Sequence, residues 1–222
     1  LSTLFFGVLC LILVAGCTPI QPVAAPTTAP VAELPVLNDL VESVEPVAEA
    51  GDLFRIPYDA TPDLTGDAVY FTADGAQGPG VFAVNATGEI TVLATGAPLM
   101  APKGIALSSD GQTLYVADPE AAAETGQGQL FALAVSGGAP TPLAGAAGSA
   151  PVNLEVANQE GADLLYFSGI DPSDGAPAVL SLSQDGLGHS IVAKGEPLVQ
   201  PQGLAVTNAG VVYVVDTQAA GD

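Results

Sequence analysis

Positive charge is almost missing from this chain. Its 222 residues hold three Lys plus Arg and one His against 24 Asp plus Glu, for a formal net charge of −21. Arg55, Lys103 and Lys194 cannot supply the clustered cations that displace counterions from phosphates, so no nucleic acid is expected as a partner. An anionic membrane surface would repel the chain for the same reason. One imidazole, His189, leaves no His-rich metal site and no choice of catalytic base. Cysteine is scarce as well, with Cys10 and Cys17 the only two. Disorder throughout is not expected, because 49% of the residues are hydrophobic and can bury a core.

The apolar run over residues 4–16 is 13 residues long. That is short for about 30 Å of hydrocarbon and suits a secretory h-region better than a transmembrane helix. It closes on Val14-Ala15-Gly16-Cys17, followed by Thr18-Pro19. This resembles the lipobox of bacterial lipoproteins, which implies cleavage before Cys17 and a diacylglycerol on its thiol. Small residues at Ala15 and Gly16 suit a peptidase that closes around the backbone; an ordinary secretion signal with an incidental Cys is the alternative. No Lys or Arg precedes the run, although an n-region carries positive charge. The expectation is a true start upstream of Leu1, or Leu1 as an alternative start codon.

Cysteine arithmetic agrees with that address. Cys10 leaves with the signal and Cys17 becomes the anchor, so the mature chain has no disulfide and no thiol nucleophile. Acyl chains bind firmly, at about 0.8 kcal/mol per buried methylene. The implied partner is a lipid bilayer through acylated Cys17, and the implied location is the bacterial cell envelope, lipid-anchored and facing the extracytoplasmic side.

Residues 17–50 read as the lipidated Cys and a Pro/Ala-rich tether, with Pro19, Pro22, Pro26, Pro30, Pro35 and Pro46. Such composition favours extended polyproline conformations reaching about 3 Å per residue. Leu37, Leu40, Val41 and Val44 fall at helical spacing, so a short helix over this stretch and a solvated linker both remain open.

From residue 51 the chain repeats itself. Tyr70, Tyr115, Tyr166 and Tyr213 sit in apolar strand cores at steps of 45, 51 and 47 residues. Pro57, Pro102, Pro151 and Pro201 lead them by 13, 13, 15 and 12 residues. Two markers with one period, enclosing several short strands, indicate a β-propeller with one blade per repeat. In the second repeat Gly104–Leu107, Thr113–Ala117, Gln129–Val135 and Thr141–Ala144 read as four strands. Asp110-Gly111 marks a hairpin turn, and Asp74-Gly75, Asp174-Gly175 and Asp185-Gly186 are signals of the same kind. The fold class is all-β, with four-stranded antiparallel blades.

The stretch Pro102-Lys103-Gly104-Ile105-Ala106-Leu107 through Leu114-Tyr115-Val116-Ala117-Asp118 resembles the blade consensus of NHL-repeat proteins and of the senescence-marker/gluconolactonase family. Pro201-Gln202-Gly203-Leu204-Ala205-Val206 through Tyr213 and Asp216 matches it again, and the first and third repeats match loosely. The resemblance covers about residues 51–222. At about 48 residues per repeat, the 172 residues from 51 to 222 make about three and a half blades, in repeats of about 51–100, 101–150, 151–200 and 201–222. The families resembled usually have six, so a fragment of a longer protein is expected.

Most candidate chemistry has a bland counterpart. His189, among Gly186, Gly188 and Ser190, reads as an exposed loop residue rather than a general base. The Gly-rich stretch Gly75–Gly80 has no nucleotide-binding strand before it and no helix after it, so it reads as a turn. Asp171-Pro-Ser-Asp174-Gly175 lacks the downstream Glu of a Ca²⁺ loop and reads as a solvated turn. Asn85-Ala-Thr87 is a glycosylation acceptor in form only. The acidity itself is read as hydration of an extracytoplasmic surface, with attraction of cations to the channel mouth as the alternative.

Two functions of different class follow. One is a surface-anchored propeller that binds an unknown polar ligand or cell-envelope protein without catalysis or cofactor. The other is a gluconolactonase-like, metal-dependent hydrolase of lactones or esters. In that family the residue between Pro and Gly of one motif is a metal-binding Asn, and a Glu and an Asp from other blades complete a Ca²⁺ site. The matching positions here are Tyr58, Lys103, Val152 and Gln202. Lys103 would repel a cation, so Tyr58, Lys103 and Gln202 are expected to form a metal-free recognition surface.

Overall fold

The computed structural model describes residues 46–219, apart from 124–125, 160 and 208–209. The apolar run, Cys17 and the stretch of helical spacing at 37–44 lie outside the described residues. Strands follow one another as antiparallel meanders. β1 (Phe54–Pro62), β2 (Ala68–Gly75), β3 (Gly78–Asn85) and β4 (Ile90–Thr95) form the first four-stranded sheet. β5 (Ile105–Leu107), β6 (Thr113–Ala123), β7 (Gly126–Ala134) and β8 (Thr141–Pro142) form the second. β9 (Leu154–Gln159), β10 (Ala162–Ile170), β11 (Pro177–Ser183) and β12 (His189–Lys194) form the third, and β13 (Pro201–Val206) pairs with β14 (Val212–Asp216). Each repeat Tyr falls in the second strand of its sheet. Among the described residues the helical structure is one 3₁₀ turn at Ala144–Ala146.

Alternation along the strands decides how the sheets stack, because successive side chains leave opposite faces. On β6, Leu114 and Val116 join Val81, Leu93 and Phe131 in a core between blades 1 and 2. Tyr115 and Ala117 face the other way, into a core with Leu154, Leu165, Phe167 and Leu180 of blade 3. Blades therefore meet face to face, with their first strands side by side. β1 touches β5, β5 touches β9, and β9 touches β13. This is the arrangement of propeller blades around an axis.

The Asp-Gly signals divide into two kinds. Gly111, Gly175 and Gly186 have φ of 71°, 75° and 71°, the left-handed conformation that hairpin turns require. Asp74-Gly75 differs: both residues finish β2, the turn is Ala76-Gln77, and positive φ falls on Gly78 at 120°. The Gly75–Gly80 stretch is thus only partly a turn, since Gly78–Gly80 open β3. Close packing explains Gly80, where a Cβ would lie 2.6 Å from the Ala94 carbonyl oxygen.

Candidate functional site at the channel mouth

The four Pro-led motifs lie inside β1, just before β5 and β9, and at the start of β13, and the repeated strand order brings them together. The second and third residues of all four, Tyr58-Asp59, Lys103-Gly104, Val152-Asn153 and Gln202-Gly203, line one cavity of about 250 Å³. The four positions singled out from the repeat therefore surround a common space at the mouth.

Their placement rests on residues that the repeat also carries. Asp118, fully buried at the end of the Tyr115 strand core, accepts the backbone N–H groups of Met100 (2.7 Å) and Ala101 (3.1 Å). Those residues lead directly into Pro102-Lys103. Asp216 does the same for Val199 (2.8 Å) and Gln200 (3.0 Å), which lead into Pro201-Gln202. A carboxylate with several N–H donors is a strong latch, since its charge strengthens each bond. Hydroxyls on the second strands then hold the motifs from the preceding blade. Thr72 Oγ1 donates to the Lys103 carbonyl at 2.5 Å, and Ser168 Oγ donates to the Gln202 carbonyl.

Where two motifs carry Asp59 and Asn153 in the place of Gly, those side chains bond across the mouth. Asp59 Oδ2 accepts the Ile105 N–H at 3.0 Å and Asn153 Nδ2 at 3.3 Å, while its Oδ1 accepts the Ala60 N–H at 2.9 Å. Asn153 Oδ1 accepts the Leu204 N–H at 3.1 Å. The four inner strands are joined by this chain of bonds. Gly104 is required beside it: a Cβ there would lie 2.7 Å from the Asn153 Cα.

The charged residues lining the cavity are Lys103 and Asp59; Glu155, on β9 two residues beyond Asn153, lies near enough to Asp59 to feel its charge. Lys103 Nζ sits 3.3 Å from the centre of the Tyr58 ring, and the Tyr58 hydroxyl donates to Asp74 Oδ2 at 2.9 Å. Burial, and after it the charge of Asp59, pushes the Glu155 carboxyl above its ordinary range. Sequence reasoning singled out Tyr58, Lys103 and Gln202, which line the cavity, and did not name Asp59 and Asn153, which line it too, or Glu155 beside them. Asp59 and Asn153 stand where the motif has Gly, a departure that was itself the available signal.

A resident Ca²⁺ would need six to eight oxygen ligands. The residues present do not fit one: Lys103 brings an ammonium and Val152 has no ligand atom. Among the described residues no three His, Cys, Asp or Glu gather at metal-binding distance.

Elsewhere, the Asp171–Gly175 turn is occupied by a side-chain cation. Lys194 Nζ lies 2.6 Å from Asp171 and 2.9 Å from Asp174. That hydrogen bond, with those from Ser173, holds the Asp171 carboxyl far below its ordinary range. His189 is exposed on β12 rather than in a loop, and its Nδ1–H donates to the Gly145 carbonyl at 2.6 Å. A larger apolar hollow of about 540 Å³ lies on the outer face of blade 1, above Phe54, Phe71 and Val84. It corresponds to the faces by which the other blades stack.

No protein-family model matches the sequence, and no curated protein matches it. Solved structures do. A chain of a nidogen/laminin complex aligns with TM-score 0.58 at 21% identity, covering 72% of this chain and 56% of that one. A gluconolactonase from Xanthomonas campestris aligns with TM-score 0.57 at 18% identity, covering 75% of this chain and 56% of that one. TolB from Acinetobacter baumannii aligns with TM-score 0.52 at 11% identity, covering 75% and 39%. The chain spans little more than half the length of the first two. These likenesses are of fold, a β-propeller, and they include both a protein complex and an enzyme.

Proposed function

We propose that this chain is a lipid-anchored cell-envelope protein whose propeller binds a polar, carboxylate-bearing ligand at the channel mouth without catalysing a reaction. The observation that carries the reading is the Lys103 ammonium held against Tyr58 inside the mouth cavity. Its backbone is pinned on both sides, by the Ala117 carbonyl accepting its N–H at 2.8 Å and by the Thr72 hydroxyl. The ordering cost of placing the cation is thus met on folding, and preorganised groups bind more tightly for that reason. Gln202, whose carbonyl is held by Ser168, leaves its amide available as both donor and acceptor.

Isothermal titration of the full chain with small carboxylates tests this, with Lys103→Met expected to weaken binding at least tenfold. Micromolar Ca²⁺ binding that Gln202→Ala abolishes, accompanied by lactone hydrolysis, would replace the reading with the metal-dependent hydrolase.

A further inference from the structure

The mouth holds charge of both signs, arranged by depth and strand. Lys103 contrasts with Lys194, which has two carboxylates within 3 Å. Among the described residues Lys103 forms no ion pair, and its recorded partner is the Tyr58 ring. An ammonium has three N–H donors, and a ring face meets only one side of it. Its remaining donors are free to meet a carboxylate, in a protein whose own carboxylates outnumber its cations eightfold.

The opposite sign lies on β1 and β9. Asp59 lines the cavity wall and accepts three hydrogen bonds on its two carboxylate oxygens. Glu155, on β9 two residues beyond Asn153, is half-buried, and its side chain makes no hydrogen bond or ion pair among the described residues. The Asp59 charge disfavours that of Glu155, and among the described residues neither carboxylate forms an ion pair. A cation brought between them would relieve that repulsion.

A simple anion satisfies Lys103 but approaches Asp59, Glu155 and the field of a chain with net charge −21. A simple cation meets Lys103. A molecule carrying both charges and no net charge satisfies both ends and escapes the long-range field. The cavity of about 250 Å³ has room for a small molecule of that kind.

We propose that the mouth is selective for a small zwitterion, a free α-amino acid, with its carboxylate on Lys103 and Gln202 and its ammonium toward Asp59 and Glu155. This rests on the mouth-binding reading above and adds the second charge to it.

The test is calorimetric titration of the full chain with L-alanine, L-glutamine and L-leucine, each also as its N-acetyl derivative and its carboxamide. At least one free amino acid is expected to bind, with both of its single-charge derivatives at least tenfold weaker. Lys103→Met should abolish discrimination against the carboxamide, and Glu155→Gln should abolish discrimination against the N-acetyl form. Glu155→Gln preserves shape, and an unchanged melting curve confirms that it folds. An N-acetyl derivative binding as tightly as its parent overturns the zwitterion inference while leaving carboxylate binding standing. No binding by any probe, or binding indifferent to Lys103→Met, overturns the mouth reading itself.

Discussion

The Asp59 carboxylate on β1 accepts the backbone N–H of Ile105 on β5 at 3.0 Å, across 46 residues of chain. It joins the first strands of two blades where their free edges meet at the axis. Asn153 repeats the device one blade pair on, reaching back to Asp59 and forward to Leu204. The mouth is therefore built from the same bonds that hold neighbouring blades in register.

Asn153→Ala removes both ends of that link. The Leu204 N–H loses its acceptor and Asp59 loses one donor, in a partly buried place. We expect a loss of about 1–3 kcal/mol, the usual cost of stranding such a group. Urea denaturation measures it, and a midpoint unchanged from the parent protein would show the link to be incidental.

The two motif glycines should respond differently to the same methyl group. At Gly104 a Cβ meets the Asn153 backbone at 2.7 Å, whereas at Gly203 nothing lies within 4 Å. Gly104→Ala is expected to cost about 1–3 kcal/mol through overpacking, and Gly203→Ala to fall within about 0.5 kcal/mol of the parent. Equal thermal shifts in the two variants would contradict the packing of blade 2 on blade 3.

The Lys194 cluster should make stability depend on acid. Asp171 titrates below its ordinary range because Lys194 bonds it, so it contributes stability at neutral pH. The sign follows from linkage: the unfolded chain takes up a proton near pH 4, the folded one only lower, and stability falls with pH through that window. Lys194→Met should be less stable than the parent at pH 7, with the difference shrinking below about pH 4. Melting temperatures across pH 2–7 provide the measurement; a pH-independent difference would assign Lys194 a packing role only.

In a bacterial host, labelled palmitate is expected to enter the chain at Cys17, and Cys17→Ala to release or mislocalise the product. Membrane retention of that variant without label would remove the lipid anchor from the proposed function.

Much of the architecture was legible in residue order. The Tyr and Pro markers share a period, and alternation of apolar residues along β6 is a local property that any extended strand must express. Turn positions at Asp110-Gly111 and Asp185-Gly186 follow from the need for positive φ. The Asp74-Gly75 pair shows the limit of that logic, because strand pairing moved the turn two residues on. Convergence of Tyr58, Lys103 and Gln202 was legible too, as equal places in successive repeats.

What residue order could not settle is who faces whom. Tyr115 and Tyr213 hold the same place in the repeat, yet one is 5% exposed and the other 64%. The difference is the sheet that lies against Tyr115, and a neighbour is not a property of the strand itself. Asp59 and Asn153 read as departures from a glycine motif until the blades bring them within 3.3 Å of each other. Charge placement obeys the same rule. Lys103 and Lys194 are alike in sequence, but chain return sets two carboxylates beside one and an aromatic ring beside the other. Periodicity is written in the chain because it arises from backbone geometry over a few residues, whereas the contents of the mouth depend on the rotation of one blade against the next.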